Sequence, residues 1–302
     1  MWHIMTRYIM NRISLAFTLM MIITNCKSQS DYYDIAFESK DGICVVNNTT
    51  KRKLCFTDVY NPYLSPDGKY LAVTKYLETG KEFSRFISII DLNKNKELKL
   101  NVNNSNFYEA NWSLDNQYIA FNILVNHKWI IGIIRSDNTE FKLLKNCSKF
   151  GMFSPSWMPD SKYFIAHDMS VIYKFDLECN VIDSIDIQKT FGENHYMSSS
   201  TKFIFTPDNK NIVFNCGINE QMKDVEGPVE AIFIYNIASK SITRISPKGM
   251  FGYDAFVESD NSILFSGARE GEKIPNIYKY YLAEKKFELF IKEGKNPSTR
   301  LR

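Results

Sequence analysis

From residue 60 onward the chain alternates short apolar runs with tight polar turns, and one arrangement of them recurs five times. The fullest copy reads Tyr63-Leu64-Ser65-Pro66-Asp67-Gly68-Lys69-Tyr70-Leu71-Ala72-Val73, and the others centre on Asp115, Asp160, Asp208 and Asp260. In each, an apolar strand enters a turn and a second apolar strand leaves it, which is the pattern of a β-hairpin. Pro66, Pro159 and Pro207 preset φ at the second turn position, and the Asp that follows can bond the local backbone. The next position requires φ > 0, which Gly68 meets without a steric cost and Asn116, Asn209 and Asn261 meet next best; Ser161 fits least well.

Two further strand-like runs follow each hairpin. Residues 86–90, 130–134, 171–175, 231–235 and 276–281 are rich in β-branched and aromatic side chains, and a shorter run follows each. Four strands in a period of 45–52 residues predict a β-propeller blade. No sustained helical period is present between 31 and 302, so the predicted fold class is all-β. Residues 35–56 carry only three strands. Residues 297–302 are therefore expected to supply the missing innermost strand, which closes a ring of six blades and removes an exposed sheet edge. The expected organisation is a leader over 1–25, a tether over 26–33 and one propeller over 34–302.

The phrase Trp/Phe-Ser-Pro-Asp-Gly-Lys-x-Ile/Leu-Ala-Phe resembles the repeat of TolB-type propellers, which are related to WD repeats but distinct from them. In the last blade Phe265-Ser266-Gly267-Ala268-Arg269-Glu270-Gly271 before Ile277-Tyr278 is similar to that family's continuation. Leu114 and Ser259 replace the Pro, and Gly stands at the turn only once. The resemblance implies a non-catalytic envelope protein that binds a protein or cell-envelope partner through its loops. Fold alone does not assign function.

Composition sharpens the picture at two points. A net charge of +3 over 302 residues gives no electrostatic footprint for nucleic acid. The N-terminus carries Arg7 and Arg12 ahead of an apolar run over 13–24, the pattern of a secretory leader. Cys26 follows directly and resembles a bacterial lipobox cysteine, which implies lipidation at Cys26 and a propeller anchored to the outer membrane. An ordinary leader with an incidental cysteine is the alternative. Cys44 and Cys55 are expected to lie opposite each other across a hairpin, either as a disulfide or as packed thiols.

Candidate chemistry is sparse. There is no Gly-x-Ser-x-Gly elbow, phosphate loop or dinucleotide fingerprint, and no cofactor or metal is expected. His127, His167 and His195 fall in connections that open on one face of a propeller of this topology. Propeller lyases acting on pectic fragments have a similar His-lined mouth, so a carbohydrate-active or other small-molecule enzyme is the competing reading. The blade-to-blade connections also carry aromatic pairs: Tyr60 and Tyr63, Phe107 and Tyr108, Phe150 and Phe153, Phe191 and Tyr196, Phe251 and Tyr253. Such residues either wedge between blades or anchor a partner. Tyr108, Phe153, His127, His167, His195, Tyr196, Tyr253 and Arg269 are the candidate binding residues of a monomeric propeller.

Overall fold

The computed structural model describes residues 32–79, 82–144, 148–223 and 225–301. Cys26, Cys147 and Asp224 lie outside these residues. Twenty-four strands form six four-stranded antiparallel sheets. The first combines β1 (Ile35–Ser39), β2 (Gly42–Val46) and β3 (Lys53–Phe56) with β24 (Gly294–Thr299). The second holds β4 (Tyr60–Leu64), β5 (Tyr70–Thr79), β6 (Glu82–Asp91) and β7 (Lys96–Lys99). The third holds β8 (Phe107–Trp112), β9 (Tyr118–Val125), β10 (Lys128–Arg135) and β11 (Lys142–Leu143). The fourth holds β12 (Phe153–Trp157), β13 (Tyr163–His167), β14 (Val171–Asp176) and β15 (Val181–Asp186). The fifth holds β16 (Phe203–Phe205), β17 (Asn211–Ile218), β18 (Val229–Asn236) and β19 (Ile242–Arg244). The sixth holds β20 (Met250–Val257), β21 (Ile263–Arg269), β22 (Asn276–Tyr281) and β23 (Lys286–Ile291).

Inner strands touch in succession around a closed ring, β24 to β4, β8, β12, β16, β20 and back to β24. The ring closes by a strand from each terminus, as expected, but β24 runs from Gly294 to Thr299 rather than over 297–302. The connection from β23 takes only two residues, Lys292 and Glu293, with Glu293 at φ 55°. The strand therefore starts three residues earlier than its polarity suggests.

Five turns repeat the expected chemistry. Gly68, Asn116, Ser161, Asn209 and Asn261 all have positive φ, from 56° to 72°. The Asp carboxylates accept the backbone N–H two residues on, at Lys69, Gln117, Lys162, Lys210 and Ser262. Side chains at the strained position also tie blades together. Asn116 Oδ1 accepts from the Asp67 N–H at 3.3 Å, and Ser161 Oγ accepts from the Asp115 N–H at 3.1 Å. Glycine could not do this.

Apolar clusters fill the wedges between neighbouring blades. Trp112, Phe107 and Phe121 pack on Ala72, Ile87 and Ile89 of the preceding blade. Phe191, Phe203, Phe214 and Phe233 stack between the fourth and fifth blades. One element departs from the all-strand pattern. A five-residue helix α1 (Ile187–Phe191) connects those blades, with Asp186 as N-cap accepting from the Lys189 N–H, and buries Ile187 and Phe191. Cys44 and Cys55 pair directly across β2 and β3 and form a disulfide, while Cys179 and Cys216 are buried thiols.

Candidate functional site

The propeller has two unlike faces. The Asp-centred turns lie on one, the turn face. Connections between second and third strands, and between successive blades, lie on the other, the loop face. A channel lined by all six inner strands joins them.

Six residues before each turn Asp stands the residue that rings the channel near the loop face: Asn61, Glu109, Ser154, Lys202 and Asp254, with Asn296 as the counterpart from β24. All but Lys202 have positive φ, from 48° to 61°. Each of those five sits in a bulge of its inner strand, which re-aims the side chain and frees a backbone N–H. A second series receives four of those five donors. The fourth or fifth residue of each second strand is polar in every blade: Glu38, Thr74, Asn122, His167, Asn215 and Ser266. Glu38 accepts the Asn61 N–H at 2.9 Å, Thr74 that of Glu109 at 3.1 Å, and Asn122 that of Ser154 at 3.1 Å. Ser266 accepts the Asn296 N–H at 2.8 Å, each of these four bonds crossing to the next blade, while Asn215 accepts from Lys202 within its own blade.

His167 is thereby explained. It is 1% exposed, and its Nε2 lies 2.8 Å from the Thr201 carbonyl of the next blade. A carbonyl only accepts, so Nε2 carries the proton and Nδ1 accepts the Met169 N–H. Burial pushes its pKa down to about 4. Asn122 and Ser266 accept a backbone N–H of the next blade, whereas the ring donates to a backbone carbonyl there; it ties the blades in the opposite sense and lies off the surface. Its contribution to stability is complete above its ordinary value near 6.5 and is lost as pH falls toward about 4, a loss of about 3 kcal/mol. Urea unfolding at pH 7 and pH 4 should show this acid loss, and His167→Asn should reduce it; an unchanged slope would refute the assignment.

Charges close the channel at the ring. Lys202 Nζ lies 2.8 Å from Glu109 Oε1 and 3.9 Å from Asp254 Oδ1. Asn122 donates to the other Glu109 oxygen, Asn215 to Glu230, and Lys295 pairs with Glu38 at 3.3 Å. Burial alone would lower the Lys202 pKa, but Glu109 and Asp254 outweigh it and hold the ammonium well above the usual lysine range. Burial raises the carboxyls of Asp254 and Glu230, and it pushes the Tyr63 phenol up to about 12 against the pull of Lys202. Water still reaches the group, since the Lys202 and Glu109 side chains are 19% exposed and Asp254 28%. Below this bar the cavity is only about 70 Å3, lined by Pro62, Tyr63, Pro155, Ile204, Phe256 and Pro297 among others. That is well short of the several hundred Å3 a bound small molecule occupies. A protonated, ion-paired lysine offers no nucleophile.

The other candidate residues fall into separate surroundings. His127 is exposed at the tip of the β9–β10 hairpin with φ 61°. His195 rests edge-on against Phe233 at 4.9 Å. The three imidazoles therefore have no common environment, and among the described residues no three His, Cys, Asp or Glu side chains group as metal ligands. Tyr196 is 47% exposed and bridges Gly217. Tyr253 and Arg269 are brought together, in a groove of about 610 Å3 that also holds Phe251, Met222, Lys223 and Lys273. Phe107 and Phe191 are fully buried wedges.

Tyr108 belongs to a cluster that sequence inspection missed. The Arg85 guanidinium lies 4.1 Å over its ring and 5.1 Å from that of Trp129. Tyr76 touches Tyr60 edge-on at 4.7 Å and Phe83 at 5.4 Å. Tyr60, Tyr76, Leu77 and Phe83 are 39–53% exposed, and Phe150 nearby in sequence to Phe153 is 69% exposed. The cluster exists because β5 and β6 are ten residues long, twice the length of β13, and project beyond the sheet on the loop face.

Comparison with protein-family models and with curated sequences gives no match. Solved structures do match. TolB from Acinetobacter baumannii is similar at a TM-score of 0.63 and 16% identity, over 89% of this chain and 67% of that one. A protein assigned as TolB from Agrobacterium tumefaciens gives 0.57 and 16%, over 87% and 90%. A chain of a nidogen/laminin complex gives 0.61 at only 8% identity, over 89% and 98%, so the likeness is one of fold. In fold, the chain is a TolB-like six-bladed β-propeller.

Proposed function

We propose that this propeller is a non-catalytic binding scaffold of the cell envelope, which docks a protein partner on its loop face. The observation that carries the reading is the exposed cluster of Tyr60, Tyr76 and Phe83 beside Arg85, Tyr108 and Trp129. Aromatic and Arg side chains of this kind dominate interaction hot spots, and a rigid ring holds them in place. The resemblance to TolB supports an envelope setting. Lipidation at Cys26 is part of the proposal. The described chain enters at Tyr32 and Tyr33, where the Tyr33 N–H donates to Gly68 O in a turn-face loop. A tether from Cys26 would attach to the propeller on that side.

The test is site-specific photo-crosslinking in the full chain. Adducts should form from Phe150, Phe83 and Tyr253 on the loop face and not from Asn95 or Asn209 on the turn face. Equal crosslinking from both faces, or from the turn face alone, would overturn the reading.

A further inference from the structure

The second blade carries an unpaired strand edge inside the aromatic cluster. Residues 70–79 of β5 pair with β6 throughout, but β4 pairs with β5 only at Thr74, Ala72 and Leu71. The register decides which backbone groups are left over. Arg85 N–H and Ile87 C=O of β6 bond outward, to Ser105 and Leu100. Odd-numbered residues of β6 therefore face away from β5, and even-numbered ones face it. By the pairing of Tyr76 with Arg85 and Glu78 with Phe83, the N–H and C=O groups of Tyr76 and Glu78 point away from β6, toward the channel side. No described strand meets them there. Natural proteins usually cover or blunt such an edge, yet this one is rimmed by the exposed rings of Tyr60, Tyr76 and Phe83.

Charge specifies the rest. Arg85, Lys128 and Lys149 lie on the neighbouring hairpins and connection, with His127 beside them. The contacts of Arg85 are Asn106 and two rings, and that of Lys128 is the Ser148 carbonyl; among the described residues no carboxylate is ion-paired to Arg85, Lys128 or Lys149. Of the acids on this side, Glu109 is held by Lys202, while Asp58 stands in the connection before Tyr60 and Glu78 on β5 itself.

We infer that an extended acidic segment of a protein partner adds as a strand to the free edge of β5 at Tyr76 and Glu78, with apolar side chains on Tyr60, Tyr76 and Phe83 and carboxylates toward Arg85, Lys128 and Lys149. Main-chain bonds supply affinity in this mode, and alternate side chains supply specificity. The inference rests on the loop-face reading and assigns its register and partner chemistry.

Three labelled ten-residue peptides test it by fluorescence anisotropy: one carrying Phe, Val and Glu at its odd positions and Thr at its even ones, because Tyr76, Phe83 and Arg85 share one face of the sheet; one with Lys for Glu; and one N-methylated at alternate backbone nitrogens. The acidic peptide should bind the full chain at least about tenfold more tightly than either of the others. It should also slow deuterium exchange of the Tyr76 and Glu78 amides. Glu78→Pro removes one edge donor and leaves the β5–β6 ladder intact, as edge prolines do. It also removes a negative charge, so charge alone would strengthen binding of an acidic peptide; a loss of about tenfold is expected instead. Equal binding of the lysine or N-methylated peptide, indifference to Glu78→Pro, or no binding of the acidic peptide would each overturn the inference. The N-methylated control changes only the probe and needs no variant to fold. If loop-face crosslinks persist undiminished in Glu78→Pro, the face docks a partner without strand addition, and only this inference fails.

Discussion

A chain lacking residues 294–302 is expected to lose cooperative folding. β24 is the innermost strand of the first blade and pairs with Ile35, Ala36, Glu38 and Ser39. It also packs against β20, β21 and β4, so its loss opens two wedges as well as one edge. Ile35, Phe37, Leu264 and Ile277, all buried now, would face water or a void. Partial exposure of each costs about 1–2 kcal/mol. Polar bonds go with them. Ser298 Oγ accepts the Leu64 N–H at 3.0 Å in a buried site, and an unsatisfied donor there costs about 1–3 kcal/mol. Arg300 pairs with Asp34 at 3.0 Å and stacks on Tyr32 at 4.0 Å, and the Leu301 N–H donates to Pro66 O. Together these losses approach the whole stability of an ordinary domain, about 5–15 kcal/mol. Thermal unfolding by near-ultraviolet circular dichroism should show no sharp transition, and adding a synthetic peptide of residues 290–302 should restore one. A truncated chain that melts cooperatively within about 5 °C of the full one would show that the ring does not depend on its closure.

That closure could be read in the sequence because it follows from counting strands, which the repeat makes possible. The turn Asp at five positions set the period, and the φ > 0 position after it followed from steric rules, even at Ser161. The start of β24 was harder, since Gly294-Lys295-Asn296 reads as a polar turn until the bulge at Asn296 is known. Helix α1 left too short a trace, because five residues cannot display a helical period. The ring of Asn61, Glu109, Ser154, Lys202, Asp254 and Asn296 was present in the sequence at a fixed offset from the turn. Taken singly, however, each is an ordinary surface residue, and the chemistry of the ring comes from residues about 45–50 apart meeting across a channel. His167 misled for the same reason. Alone it suggests a functional imidazole; aligned with Thr74, Asn122 and Ser266 it is the fourth member of a buried polar series. Tyr76, Phe83 and Trp129 escaped notice because their exposure depends on how far β5, β6 and β10 outrun their neighbours.

Replacing Lys202 by Met should cost about 3 kcal/mol at pH 7.5, the lower end of the range for breaking a buried ion pair, because water reaches the mouth. The deficit arises from what is left behind. Glu109 and Asp254 would face each other without a cation, in a site where burial already raises the Asp254 carboxyl above its ordinary range. For a carboxyl with a raised folded pKa, protonation favours the folded state. The cost of the variant should therefore shrink as pH falls from 7.5 toward 5, as Asp254 takes up a proton. Lys202 itself adds no slope in that interval, because its raised pKa matters only above the ordinary lysine value, where stability falls as pH rises through the folded pKa. Adding Glu109→Gln to Lys202→Met should recover most of the loss, since one neutral amide relieves the repulsion. Urea unfolding of the single and double variants at pH 7.5 and 5 measures all of this. A deficit that is independent of pH, or untouched by Glu109→Gln, would mean that the three side chains do not act as one bar. A structural bar makes a second demand. Loop-face crosslinks from Phe150 should keep their yield in Lys202→Met under conditions where the variant is folded, because the bar closes the channel while the partner is held by the hairpins above it.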